Sequence, residues 1–277
     1  MSHFGKINLF FIFFIFLIGC DQNIKLTKNF KISDLVLNIF NEEINDDYKL
    51  IAHAGGGINN LTYTNSLEAI NNSIKLGYKL IEIDLIETSD LKLVGAHDWN
   101  HFRTISKCCK ENEIPELKDF RNYKIYDKFT TVDYKKINEI FLNNEDLILV
   151  TDKTNNFDLI NTSFTFDKSR LIVEVFGKEN YFKAIRNNIQ NPMYSTNINE
   201  LDFIKKYNIK LIAVHSKDFT LNKKIYKELS DNGTIIFVYS TNDINFLKEN
   251  NNSVSSFYSD FIDVKNKVCV SKICETY

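Results

Sequence analysis

The chain lacks any large excess of charge. Its 34 basic and 36 acidic residues leave a net charge near −2 over 277 residues. Such a surface offers no continuous field for a polyanion, so nucleic acid is not expected as a partner. No long apolar run follows the first twenty residues, which excludes a second membrane span of the helical kind. No internal repeat or low-complexity block is present. Apart from Cys20, the cysteines are Cys108, Cys109, Cys269 and Cys274, and neither pair has the Cys-x-x-Cys spacing of a typical structural zinc site. What remains is an ordinary globular composition, 44% hydrophobic. That suffices for one barrel-sized domain of about 230 residues, or for two small ones.

The first residues set the compartment. Leu9 to Ile18 are almost wholly apolar and Phe-rich, with Lys6 just before them. A run of about ten residues is too short to span a bilayer but fits the core of a signal peptide. It ends in Leu17-Ile18-Gly19-Cys20, which resembles the bacterial lipobox. The resemblance implies cleavage before Cys20, lipidation of that thiol, and a place in the cell envelope, periplasmic or at the cell surface. The alternative is an uncleaved N-terminal anchor. Residues 1–20 are thus read as signal peptide, 21–48 as tether, 49–265 as the folded domain and 266–277 as a tail. Within the tether, Leu35-Val36-Leu37 through Ile39-Phe40 form an amphipathic patch that Ser33 would cap as a short helix under the domain. An exported chain can form disulfides, and four cysteines allow three pairings. The neighbours Cys108 and Cys109 do not easily bridge each other. A tie from that loop to the tail is expected, with zinc as the rival.

From residue 49 the chain alternates. Apolar, β-rich runs at 50–53, 80–85, 147–152, 171–176, 192–195, 210–214, 234–239 and 256–260 are separated mostly by stretches of helical spacing. Eight strands separated by helices predict an α/β fold, a (β/α)8 TIM barrel with its site at the C-terminal ends of the strands. Leu91 to His97 is left over as an extra hairpin strand beside the mouth. Residues 98–130 form an insertion with Trp99, Phe102, Phe120, Tyr123, Tyr126 and Phe129, either a substrate lid or a cluster packed on itself.

Two carboxylates and two histidines end on these strands. Glu82 and Asp84 are two apart, so they share one face. In a strand as apolar as Leu80 to Ile86 that face is buried, and buried charges require partners. Oxygen ligands of this kind suit Mg²⁺ or Ca²⁺, with Mn²⁺ as a further possibility. His53 closes the first run and precedes three glycines, of which Gly55 and Gly56 would bring backbone N–H groups to an anionic ligand. His97 closes the leftover run, with Asp98 beside it to orient the ring.

The order His53, Asn65-Ser66-Leu67-Glu68-Ala69, Gly77, Glu82-x-Asp84, Thr88-x-Asp90 and His97-Asp98 resembles the glycerophosphodiester phosphodiesterase family. That family shares a superfamily with phosphatidylinositol phospholipases C. The clear resemblance covers about residues 50–99. It implies a (β/α)8 barrel, a divalent cation and a small phosphodiester or lipid-headgroup substrate with a nearby hydroxyl. His53 and His97 would then be base and acid, and Glu82 and Asp84 metal ligands. The chain departs from the pattern at Ala54, where the family has arginine, and at Thr64, where it has glutamate. A third metal carboxylate is expected on the next barrel strand, with a lysine two residues on. Here Asp152 is followed at once by Lys153, so both reach the mouth only if the strand ends or bulges between them. Lys153 would bind phosphate. Glu174 is a reserve anion, and His101, His215 and Asp260 are minor candidates at the mouth.

The expected activity is that of a metal-dependent phosphodiesterase on glycerophosphodiesters or phospholipid headgroups. A binding lipoprotein that kept the barrel and a lyase giving a cyclic phosphate are the alternatives. Sugar-bond hydrolysis fits less well, since carboxylates two apart on one strand lie closer than the roughly 5 Å a retaining pair needs.

Overall fold

The structure is a computed structural model that describes residues 22–27, 30–41, 48–239 and 241–275. Residues 1–20, read above as a signal peptide, and Cys20 among them, lie outside the described residues.

The strands are, in chain order, β1 (Leu50–Ala52), β2 (Leu80–Glu87), β3 (Leu93–Gly95), β4 (Lys124–Ile125), β5 (Phe129–Thr130), β6 (Ile148–Lys153) and β7 (Leu171–Phe176). Then follow β8 (Asn191–Thr196), β9 (Leu211–His215), β10 (Ile235–Tyr239), β11 (Ser256–Ser259), β12 (Ile262–Asp263) and β13 (Val268–Cys269). Eight of them, β1, β2 and β6 to β11, pair in parallel, and the β1–β2 pairing closes the barrel. All eight lie where the apolar runs place strands. β3 is the extra hairpin strand, antiparallel to the upper end of β2 with Leu85 opposite Gly95 and Glu87 opposite Leu93.

The two-residue period of the strands divides the apolar side chains. Ile81, Ile83 and Leu85 of β2 join the core between sheet and helices, while Leu80 joins Ile148, Ile172, Leu211 and Phe237 in a separate cluster inside the barrel. Helix α1 (Asp34–Asn41), with the turn before it, belongs to that inner cluster through Ile32, Val36 and Phe40. The Phe40 ring meets Phe237 edge-on at 5.2 Å. Ser33 accepts the Val36 N–H and ties itself to Asn191 at the foot of β8. Full burial of such side chains is worth about 1.5–3 kcal/mol each, so the segment stoppers the barrel base.

The insertion forms a third cluster. The helix Trp99–Ser106 and the residues after it bring Phe102, Phe120, Ile125 and Phe129 together, with Phe102 stacked on Phe120 at 4.8 Å. The aromatics therefore pack on themselves beside β2 and β3 and do not form a lid. The disulfide expectation is also corrected. Cys269 pairs with Cys274 within the tail, leaving Cys108 and Cys109 as thiols of one loop.

Candidate active site

At the upper end of the barrel the inward face changes from carbon to oxygen. Leu80 gives way to Glu82 and Asp84 on β2, and Val150 to Asp152 on β6, with Asp84 and Asp152 opposite each other in register. One carboxylate oxygen of each residue lies within 4.8 Å of the others, and all three side chains are buried. Burial together with the neighbouring Asp84 holds the Glu82 and Asp152 carboxyls well above the usual carboxylate range. The Ala54 N–H donates to Glu82 Oε2 at 2.6 Å, and Asn65 clasps Asp84 by donating from Nδ2 at 2.8 Å and accepting its N–H at 3.0 Å. Two oxygens, Glu82 Oε1 and Asp152 Oδ1, are buried with no hydrogen-bond partner. Buried acceptors left so are costly, and a hard cation is the ligand that three clustered carboxylates fit.

Lys153 reaches the same place. Its Nζ lies 2.9 Å from Asp152 Oδ2 and 3.2 Å from Asp84 Oδ1. Adjacent strand residues point oppositely, but Lys153 has φ +68° and the Thr154 N–H donates back to the Asp152 carbonyl at 2.9 Å. This is a γ-turn of the rare positive-φ kind, and it brings both side chains to the mouth. The turn is anchored from β2, where Glu87 accepts the Thr154 hydroxyl at 2.7 Å.

The two histidines flank this cluster unequally. His53 is nearly buried and its Nδ1 is 3.1 Å from Asp260 Oδ1. Burial alone would lower its pKa, yet the hydrogen bond and charge of Asp260, with Asp84 beyond, raise it above the ordinary histidine value. His97 is more open, with Nδ1 2.7 Å from Asp98 Oδ2. Asp98 also caps the helix Trp99–Ser106 by accepting the His101 N–H at 2.8 Å, so the start of that helix fixes its carboxylate. Tyr63 stands between the histidines, edge-on to His53 at 4.5 Å and to His97 at 5.3 Å. Ala54, Tyr63 and Asn65 all adopt positive φ, and such strain clusters where structure positions chemistry.

Gly56 acts differently from the expectation. The Gly56 N–H donates to the His53 carbonyl at 2.7 Å, so it is not offered to a ligand. Gly56 is required by space and by its φ of +91°, since a Cβ there would lie 2.0 Å from Ser73 Oγ. Gly55 sits in the same turn with φ +83°. Ala54 and Thr64, the places of the family's arginine and glutamate, are both buried. The Thr64 hydroxyl meets Ser66 Oγ at 3.0 Å, so no unpaired charge marks the loss.

Among the minor candidates, Glu174 lines the acidic cavity and accepts the Tyr258 hydroxyl at 3.0 Å. The His101 ring lies 6.0 Å from that of His97. His215 caps the next helix by accepting the Lys217 N–H, outside the acidic cavity. Sequence reasoning missed Asn242, whose Nδ2 donates to Asp260 Oδ2 and whose Oδ1 accepts the Asp260 N–H. It missed Tyr63 as well. Neither has a motif of its own; only closure of the barrel brings β1 beside β11 and puts Asp260 next to His53.

A closed eight-stranded barrel with three buried carboxylates and two carboxylate-paired histidines at its mouth has the layout of a barrel hydrolase. The model of the glycerophosphoryl diester phosphodiesterase family matches residues 53–146, the segment that carries both histidines, Glu82 and Asp84. The resemblance read from the motif is thus found again over that segment, in a family of phosphoric diester hydrolases. Solved structures share the fold. A glycerophosphodiester phosphodiesterase from Parabacteroides distasonis superposes with TM-score 0.64 at 16% identity, covering 84% of this chain and 98% of its own. One from Thermotoga maritima gives 0.65 at 18%, covering 79% and 96%. A phosphodiesterase from Oleispira antarctica, in complex with the product sn-glycerol-3-phosphate, gives 0.62 at 15%, covering 79% and 96%. No curated protein matches the chain.

Proposed function

We propose that the chain is a divalent-cation-dependent phosphodiesterase acting on glycerophosphodiesters or related headgroup diesters by histidine acid–base catalysis. The observation that carries this reading is the pair of unpartnered buried oxygens, Glu82 Oε1 and Asp152 Oδ1, in a three-carboxylate cluster between His53 and His97. Glu82, Asp84 and Asp152 would hold Mg²⁺, Ca²⁺ or Mn²⁺. When bound, the cation offsets charge on the transferring phosphoryl group and makes a coordinated hydroxyl more acidic. Lys153, on its γ-turn, binds a phosphate oxygen once the cation satisfies the carboxylates. One histidine accepts the nucleophile's proton and the other protonates the leaving alkoxide; Asp260 and Asp98 orient them. The Oleispira relative's product supports glycerol phosphate as one half of the substrate.

The test is turnover of glycerophosphodiesters by protein lacking residues 1–20, with Mg²⁺, Ca²⁺, Mn²⁺ or EDTA, beside His97→Ala. Turnover that requires the cation and fails in the variant is expected. Cation-independent turnover, or none with any cation, would sink the reading. Phosphorus NMR of the product separates hydrolysis from release of a cyclic phosphate. The location follows from the lipobox-like end: Cys20 carries lipid and holds the enzyme to an envelope membrane outside the cytoplasm. Fatty-acid labelling that persists in Cys20→Ala would refute it.

A further inference from the structure

A second and larger cavity opens beside the acidic one. The acidic cavity has about 210 Å³, whereas its neighbour has about 550 Å³, and the two share His53 and Tyr63 as a common wall. The larger one runs outward between the helix Ser216–Leu221 after β9 and the helix Ile244–Asn250 after β10. Asp260 and Asn242, which fix His53, form its inner end. Further out the walls are Tyr63, Thr220, Leu221 and Phe246, with Lys217 and Asp243 also on the lining.

Two features make this more than empty space at a barrel mouth. Its volume is that of a site for a drug-sized group, while the acidic cavity holds little beyond a phosphate and its cation. Leu221, on its lining, is 83% exposed, the highest value among the large hydrophobic residues described. A lone exposed leucine needs no explanation; one on the wall of a cavity that begins at a catalytic histidine is placed to meet a ligand.

We infer that this cavity is a substrate subsite that receives a bulky apolar arm carried by the alcohol whose oxygen His53 serves. The inference rests on the phosphodiesterase reading and narrows it. The preferred diester carries an alkyl or aryl substituent and is not a simple glycerophosphodiester of a small polar alcohol. The arm passes between Tyr63 and Asp260, lies along Phe246 and ends against Leu221. Lys217 and Asp243 leave room for polar groups on the arm without setting a charge of either sign.

The experiment uses three matched alkoxide-leaving substrates: glycerol phosphate ethyl ester, its octyl ester, and the ethyl ester with an octyl ether on the glycerol. One of the octyl compounds is expected to exceed the ethyl ester in kcat/KM by at least about tenfold, since each buried methylene is worth about 0.8 kcal/mol. Which one gains identifies the oxygen that His53 serves. Leu221→Ser, at an exposed position, should cut that preference about fivefold and leave the ethyl ester unchanged. Equal kcat/KM for all three substrates, or equal losses on all three in Leu221→Ser, overturns the subsite. Calorimetric binding of the same compounds to His97→Ala keeps the two readings apart. Tighter octyl binding that depends on Leu221 supports the subsite even where no substrate turns over. Equal binding of the ethyl and octyl compounds overturns it whatever the turnover.

Discussion

Removing and restoring the cation should move the protein's stability as much as its activity. Without a cation, burial and mutual repulsion hold Glu82 and Asp152 above the usual carboxylate range. The unfolded chain ionises them at ordinary values, so the cation-free fold loses stability as pH rises from those values through the raised ones. A bound cation removes the repulsion and displaces the protons, so its affinity grows over the same window. At a cation concentration 100 times the dissociation constant the gain is about 2.7 kcal/mol. For a domain of this size that is roughly 5–11 °C in melting temperature. The assay is differential scanning calorimetry at pH 5 and pH 8 in millimolar Mg²⁺, Ca²⁺ or Mn²⁺ against EDTA. The gap should be wider at pH 8 and should shrink in Asp152→Asn, which also melts higher than wild type in EDTA. Identical melting with and without cations at pH 8, or a full shift in Asp152→Asn, would refute the reasoning.

Other outcomes follow from the same geometry. His97→Ala should fold normally and lose roughly 10²–10⁴-fold in kcat, as expected for one acid–base group, measured by steady-state kinetics. Asp260→Asn removes what raises the His53 pKa, so the His53 limb of the pH–rate profile should move to lower pH; an unmoved limb contradicts the pairing. In the same variant the pH-dependent part of the stability loss should be complete below pH about 6.5 and fade as pH climbs through the raised folded value. Gly56→Ala puts a methyl 2.0 Å from Ser73 Oγ at φ +91° and should cost about 3 kcal/mol or more, read from urea denaturation.

Particular residues show what the sequence could carry. The eight strands were legible because their apolar runs are buried on both sides, and the Glu82–Asp84 spacing by itself places both carboxylates on one face. His53 and His97 were legible as ends of such runs. Asp260 was only a minor candidate and Asn242 went unseen, because their meaning arises from barrel closure between segments 207 residues apart. The geometry of Lys153 was conditional: sequence spacing said it needed a break in the strand, and only the backbone supplies the γ-turn. The anion cradle expected of Gly55 and Gly56 does not extend to Gly56, since N–H groups in a tight turn can equally be spent on neighbouring carbonyls, as that of Gly56 is. The cysteine tie went wrong because nothing in the spacing revealed that the tail folds back on itself to join Cys269 to Cys274.

One property of β2 reaches further. This single strand closes the barrel against β1 below, runs beside β6 along its length and carries the hairpin β3 above. Its residues alternate strictly, with Leu80, Glu82 and Asp84 inward and Ile81, Ile83 and Leu85 outward. A slip of one residue would turn both carboxylates into the greasy layer under the helices and three aliphatic side chains into the mouth. Fold and reactive centre are thus written in the same reading frame. Sequence drift that keeps the barrel closed keeps the acidic pair aimed at the mouth, even while flanking positions such as Ala54 and Thr64 change.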